Sequence, residues 1–158
     1  MVSFTKVNKN NVTFQPRENI IALLKDELSI SGVRFYSILP DFTGRNFSGF
    51  PIVLIPEQGL SQLGDVTLKG NIQYGNELVC SIYHDHERLG DDKLRTIKQD
   101  FIRAISERAN SKKLGTSGVS GLNLEFEDGS PIPELIDNKK IVNAEFSISF
   151  QIDVDMGA

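Results

Sequence analysis

The stretch IVNAEFSISFQIDV, residues 141–154, narrows the fold more than any other part of the chain. Val142, Ala144, Phe146, Ile148, Phe150, Ile152 and Val154 share one parity, and Asn143, Glu145, Ser147, Ser149, Gln151 and Asp153 share the other. Successive side chains of a strand point to opposite faces, so this is a strand with one apolar and one polar side. The alternation never slips. At ~3.3 Å per residue the run from Val142 to Val154 spans about 40 Å, roughly twice an ordinary strand. It either bends around the core or extends past it toward another molecule. A strand wet on one face belongs to an antiparallel sheet with helices on a single side. The expectation is therefore an α+β fold: a mostly antiparallel sheet, two helices packed on one face, and a long C-terminal strand.

Two helical patterns supply the other layer. In FQPRENIIALLKDEL, Pro16 suits a first helical turn, and Ile20, Leu23, Leu24 and Leu28 make one stripe that ends near Gly32. In DDKLRTIKQDFIRAISERAN, Asp91 or Asp92 is the expected cap. Leu94, Ile97, Phe101, Ala104 and Ile105 form the buried stripe, which runs to about Asn110. VRFYSIL and FPIVLI read as strands, and the apolar run from Ile52 to Ile55 suits a strand covered on both faces. VTLKGNIQY and ELVCSIYH, joined at Gly75-Asn76, have the form of a hairpin, with Leu78, Cys80, Ile82 and His84 on one face of its second strand. KKLGTSGVSG reads as a flexible connection, followed by alternation over Leu122, Leu124 and Phe126 up to the Asp128-Gly129 turn. The prolines of SPIPELIDNKK forbid a central strand there. No internal repeat or linker divides the chain, so the expectation is one domain over 1–158, with 1–14 as a flexible or extended arm.

Composition limits what such a domain does. At 158 residues a conventional core forms without staples, and 24% charged with 39% hydrophobic residues is the balance of a globular protein. The net charge is −4, and Lys and Arg are scattered, so the basic stripe of a phosphate-binding protein is missing. The one cysteine, Cys80, excludes an intrachain disulfide and sits among apolar neighbours, as a buried thiol does. There is no apolar run of about 18 residues, and the first residues lack a signal-peptide layout, so synthesis in the cytoplasm is the expectation.

The densest chemistry lies in SIYHDHERLGDD. His84 and His86 stand at the His-x-His spacing of a strand-borne metal site, which would need carboxylates from Asp85, Glu87, Asp91 or Asp92. While the strand lasts, however, Asp85 points the other way, and the acids at 91 and 92 are wanted as caps. The expectation is a strand running into a helix with its polar side chains in water, with no metal and no cofactor. Gly115, Gly118 and Gly121 follow a helix and precede a strand, the reverse of a phosphate loop. Cys80 and His84 share a parity but lie roughly 13 Å apart along a strand, too far for a nucleophile and its base. Glu125 and Glu127 fit a solvated face better than a glycosidase pair. No catalytic constellation emerges, and the expectation is a non-enzyme.

What stands out instead is surface: three aromatics, Phe42, Phe47 and Phe50, in one loop, and a strand long enough to outrun its core. RENIIALLKDEL, FPIVLIPE, SIYHDHE, DDKLRTIKQDFIRAISERAN and GSPIPELIDNKKIVNAEFSISFQIDV occur in an order that resembles the tail terminator, or tail-completion, proteins of long-tailed bacteriophages. The resemblance covers most of residues 16 to 155. It implies a structural virion protein at the head-proximal end of the tail, which forms a sixfold ring with itself, caps the tail tube protein, stops its polymerisation and docks the head connector or neck protein. DNA would pass through the pore without sequence-specific binding, no membrane is involved, and a mildly acidic lining would keep DNA from sticking. Phe42, Phe47, Phe50, Asn143, Glu145, Ser147, Ser149 and Gln151 are the expected contact residues. A neck or baseplate adaptor would use the same physics, and a metal-dependent enzyme or binding module built on His84 and His86 is the chemical alternative.

Overall fold

A computed structural model of the chain describes residues 3–38, 51–57, 61–62, 71–85, 90–126, 132–136 and 139–155; side chains are described except at 61–62, 71–74, 85, 90–92, 132–136, 139–142, 153 and 155. The elements run α1 (Gln15–Glu27), β1 (Arg34–Tyr36), β2 (Ile52–Leu54), β3 (Ser61–Gln62), β4 (Asn71–Asp85), α2 (Gly90–Ser106), α3 (Arg108–Ser117), β5 (Val119–Phe126), β6 (Ile132–Ile136) and β7 (Lys139–Asp155). All the described strands join one sheet in the order β1-β2-β4-β7-β5, with β3 added to β4 and β6 added to β7. Every pairing is antiparallel except β1 with β2. The α+β fold read from the sequence is the one observed.

The 17-residue β7 is the axis of the sheet. It pairs with β4 along the whole length of that strand, from Asn71 opposite Asp155 to Asp85 opposite Ile141. On its other side β5 covers one half and β6 the other. β6 contains Pro133 and, among the described residues, has β7 as its only strand partner, so the missing N–H falls at an edge of the described sheet, as a proline in a sheet requires. Gly121 (φ 63°) marks the irregularity between Ser120 and Asn123, where β5 shifts register against β7. A Cβ at Gly121 would come within 3.3 Å of Gln151 Cγ, so the bulge and the close strand approach favour the same residue.

Periodicity places the core. Ala144, Phe146, Ile148, Phe150, Ile152 and Val154 are buried, as are Leu78, Cys80 and Ile82 opposite them. Above them lie Ile20, Leu23 and Leu24 of α1 and Leu94, Ile97, Phe101 and Ala104 of α2. Phe146 lies between two rings, with centroids 5.5 Å from Phe101 of α2 and 5.5 Å from Phe126 of β5. Burial at this density is what holds helix to sheet.

Several expectations give way. The Gly75-Asn76 turn does not form: Gly75 pairs with Ser61 on one side and Gln151 on the other, inside an unbroken strand. A type I′ turn would surrender those ladder bonds, and the long partner β7 keeps the chain straight. Among the described residues there are three helices rather than two. The second stops at Ser106, because Glu107 takes an extended conformation (φ −71°, ψ 122°), and α3 then occupies part of the stretch expected to be a flexible connection. The break frees carbonyls that would otherwise go unpaired. Asn110 Nδ2 donates to Ala104 O at 3.2 Å and Ser111 Oγ to Ile105 O at 3.1 Å. The new direction brings Leu114 and Ser117 into the interior, and Gly118 (φ 106°) closes the helix with its N–H on Leu114 and Gly115 carbonyls. α2 begins at Gly90, so Asp91 and Asp92 occupy its first turn rather than the cap position; helix ends commonly shift by a residue or two.

Residues 3–14 carry no strand or helix, yet they are tied down. Val7 and Val12 are buried, and the Val7 N–H donates to Ser117 O at 2.8 Å. Asn19, 2% exposed, donates to Thr5 O at 2.8 Å and to Ser117 Oγ at 3.3 Å, and accepts from Gln15 Nε2. This buried amide therefore joins α1, α3 and the leading segment in one network, which is how a polar group is tolerated inside.

Candidate interaction surface

The helices cover one side of the sheet and leave the other open. Along β4 the odd positions Glu77, Val79 and Ser81 alternate with the buried Leu78, Cys80 and Ile82. Along β7 the same parity gives Asn143, Glu145, Ser147, Ser149 and Gln151, all half-buried or exposed. Along β5, Asn123 and Glu125 join them. Register sets these residues in rows: Val79, Ser147 and Glu125 lie side by side across three strands, and Glu77, Ser149 and Asn123 form the next row. Ser81 stands opposite Glu145. Beyond Ser81 the face closes, for Tyr83 and its cross-strand partner Ile52 are both buried.

The ionisable side chains described on the open part are acidic. Among its described side chains the ionisable groups are Glu77, Glu125 and Glu145, and no Lys or Arg is among the described outward side chains of β4, β5 and β7. With Val79, Ser147, Phe126 and Phe146 they line a half-open depression of about 220 Å³. Val79 is 49% exposed in the middle of it, an aliphatic side chain that the chain's own core leaves in solvent. Asn123 Nδ2 donates to Glu125 Oε1 at 3.2 Å, which orients that carboxylate without neutralising it.

The expected contact residues divide accordingly. Asn143, Glu145, Ser147, Ser149 and Gln151 come together on this face in register with β4 and β5. Phe42, Phe47 and Phe50 lie outside the described residues, as do His86 and Glu127. Glu77 and Val79 were missed by sequence reasoning; their parity opposite Leu78 and Cys80 is the signal that could have found them. His84 corrects an expectation. It is 7% exposed and continues the inward parity of Leu78, Cys80 and Ile82 rather than standing in water. Among the described residues no group of three or more His, Cys, Asp and Glu side chains could hold a metal ion. Cys80 is buried, its Sγ donates to Leu78 O at 3.4 Å, and burial pushes the thiol up to about 12.

No protein-family model matches this chain, and no curated protein matches it.

Proposed function

We propose that the protein is a tail terminator of a long-tailed bacteriophage, a ring-forming structural component that caps the tail tube, stops its polymerisation and offers the docking surface for the head connector. The observation that carries this reading is the β4–β7 pair, whose polar, half-exposed face is left uncovered over much of its length by the protein's own helices. A sheet of that length needs only its inner face to complete the core, so its outer face is available to a neighbour. A ring requires a contact between two different surfaces that closes by rotation, and a two-layer molecule with unlike layers provides two such surfaces.

Native mass spectrometry across a range of protein concentrations, followed by electron microscopy of the protein mixed with tail tubes, tests the reading. Six subunits, or density confined to one end of the tubes with tube length arrested, is the expected outcome. Tubes that continue to lengthen with bare ends in excess protein would remove the terminator role.

A further inference from the structure

Two segments far apart in the sequence pack together and contain no acid. Residues 3–14 and 108–120 hold Lys6, Lys9, Arg108, Lys112 and Lys113, five of the chain's 17 Lys and Arg residues, and none of its 21 Asp and Glu residues. The Val7 N–H on Ser117 O, and the Asn19 amide on Thr5 O and Ser117 Oγ, hold the leading segment against the last turn of α3. Lys113 Nζ lies 5.9 Å from the centre of the Phe4 ring. Lys6, between Thr5 and Val7, is thereby placed beside the end of α3, and the Asn8–Asn11 turn carries Lys9 next to it. Arg108 and Lys112, one turn apart, continue the row along the outward side of a helix about 15 Å long. Lys6, Lys9, Arg108 and Lys112 are all exposed, and among the described residues none of the four side chains has an ion pair or a hydrogen bond. Glu107, just before α3, accepts from Asn110 and bounds the surface.

We propose that this surface, the outward side of α3 together with the leading segment, binds the sugar-phosphate backbone of nucleic acid without regard to sequence. The side chains between the cations choose the partner as much as the cations do. Thr5, Asn8, Asn10 and Thr116 are exposed among them, and Lys, Arg, Asn and Thr are the side chains that reach phosphate and sugar oxygens. The outward side of α3 reads Arg108, Ala109, Lys112, Gly115 and Thr116, with no large apolar side chain. A protein partner is anchored by aromatic or aliphatic side chains in pockets, and a helix lying on a lipid surface needs an apolar face to insert; α3 offers outward neither anchor nor insert. Gly115 has open space around its Cα, so a backbone of linked phosphates can approach the helix closely there. The stripe that composition alone does not show is thus assembled by folding. In a chain of net charge −4 the remaining surface repels a polyanion, which confines the contact to this one end of the molecule.

The test is fluorescence anisotropy of two labelled DNA duplexes of unrelated sequence, titrated with the full chain at several salt concentrations. Both duplexes bind alike, and four phosphate contacts give a slope of log affinity against log salt of about −3.6, a loss of roughly a hundredfold between about 50 and 200 mM salt. Lys6→Gln, Lys9→Gln, Arg108→Gln and Lys112→Gln, all at exposed positions and with circular dichroism unchanged, each reduce that slope by about 1, and the four together abolish binding. Lys93→Gln, an exposed cation on α2, leaves affinity and slope as they are. No binding by the wild-type chain at roughly 100 μM and low salt overturns the proposal. So does binding that survives the fourfold variant, or that Lys93→Gln weakens as much as Lys112→Gln does. Displacement of the DNA by polyglutamate, or by phosphatidylglycerol vesicles, as readily as by unlabelled DNA of equal charge assigns the surface to an acidic protein or a membrane instead and equally overturns it. The terminator reading is judged separately, by arrest of tube growth.

Discussion

Replacing Phe146 with alanine, and separately its neighbour Ser147, tests the parity on which the whole two-faced sheet depends. Phe146 is 1% exposed, and rings from a helix and from a neighbouring strand flank it, each 5.5 Å away. Truncating a buried Phe costs about 3–5 kcal/mol, the larger values arising where the surroundings cannot collapse. Here Phe126 is fixed by the β5–β7 ladder, Cys80 stands opposite on β4, and Phe101 lies on α2. Little relaxation is open to them, and the two aromatic contacts are lost as well. About 4 kcal/mol is the expected loss. For a chain of 158 residues, at about 2–4 °C per kcal/mol, that lowers Tm by roughly 8–16 °C. Ser147, one position along on the open face, should change stability by less than about 0.5 kcal/mol on becoming alanine. Urea unfolding followed by circular dichroism measures both, with unchanged m-values confirming that the midpoint shift is a stability change. A Phe146→Ala loss under about 1.5 kcal/mol, or a larger loss for Ser147→Ala, would mean that β7 is turned the other way and that the acidic face is not open.

Two other perturbations probe the inner layer. The Cys80 thiol, held up to about 12 by burial against an ordinary 9.0, should resist thiol reagents in the native protein at pH 8 and react fully in denaturant. Because the unfolded thiol ionises first, the stability it contributes is full below pH 9 and is lost as pH rises toward 12, which urea midpoints across that range would follow against a Cys80→Ala control. Asp100 accepts from the Ser29 N–H at 2.9 Å and from Ser29 Oγ at 2.8 Å, and pairs with Arg103 at 3.0 Å, so it clamps the chain after α1 onto α2. Asp100→Ala should cost about 2–3 kcal/mol, less than the loss of a fully buried pair because Arg103 remains half-exposed, with proteolysis near Ser29 as an independent readout.

How far the fold could be read in advance depended on whether a signal was periodic or local. β7 was legible because an alternation maintained from Val142 to Val154 admits one explanation. The turn at Gly75-Asn76 rested on a dipeptide, and the partner strand overrode it. The clue was there in parity: Ile72 and Tyr74 stand in phase with Leu78, Cys80 and Ile82, as one continuous strand requires. The break at Glu107 had no such clue, since a helical stripe continues smoothly into it, and what turns the chain is the side-chain capping by Asn110 and Ser111. His84 was judged by residue type when its position, two beyond Ile82, already placed it inside. The candidate surface was half legible. Its β7 residues follow from alternation, whereas its rows across β4 and β5 depend on a register that only the folded sheet supplies.

That register is what gathers the polar side chains of the open face. On a strand taken alone, Glu77, Glu125 and Glu145 are three scattered acids on three segments of sequence, each an ordinary solvated side chain. Pairing brings Glu125 and Val79 to the two sides of Ser147 and places Glu145 opposite Ser81, next to Val79 on β4, so that an exposed aliphatic side chain is fenced by carboxylates. The division of sheet from helices that builds the core also leaves this face of the sheet to solvent.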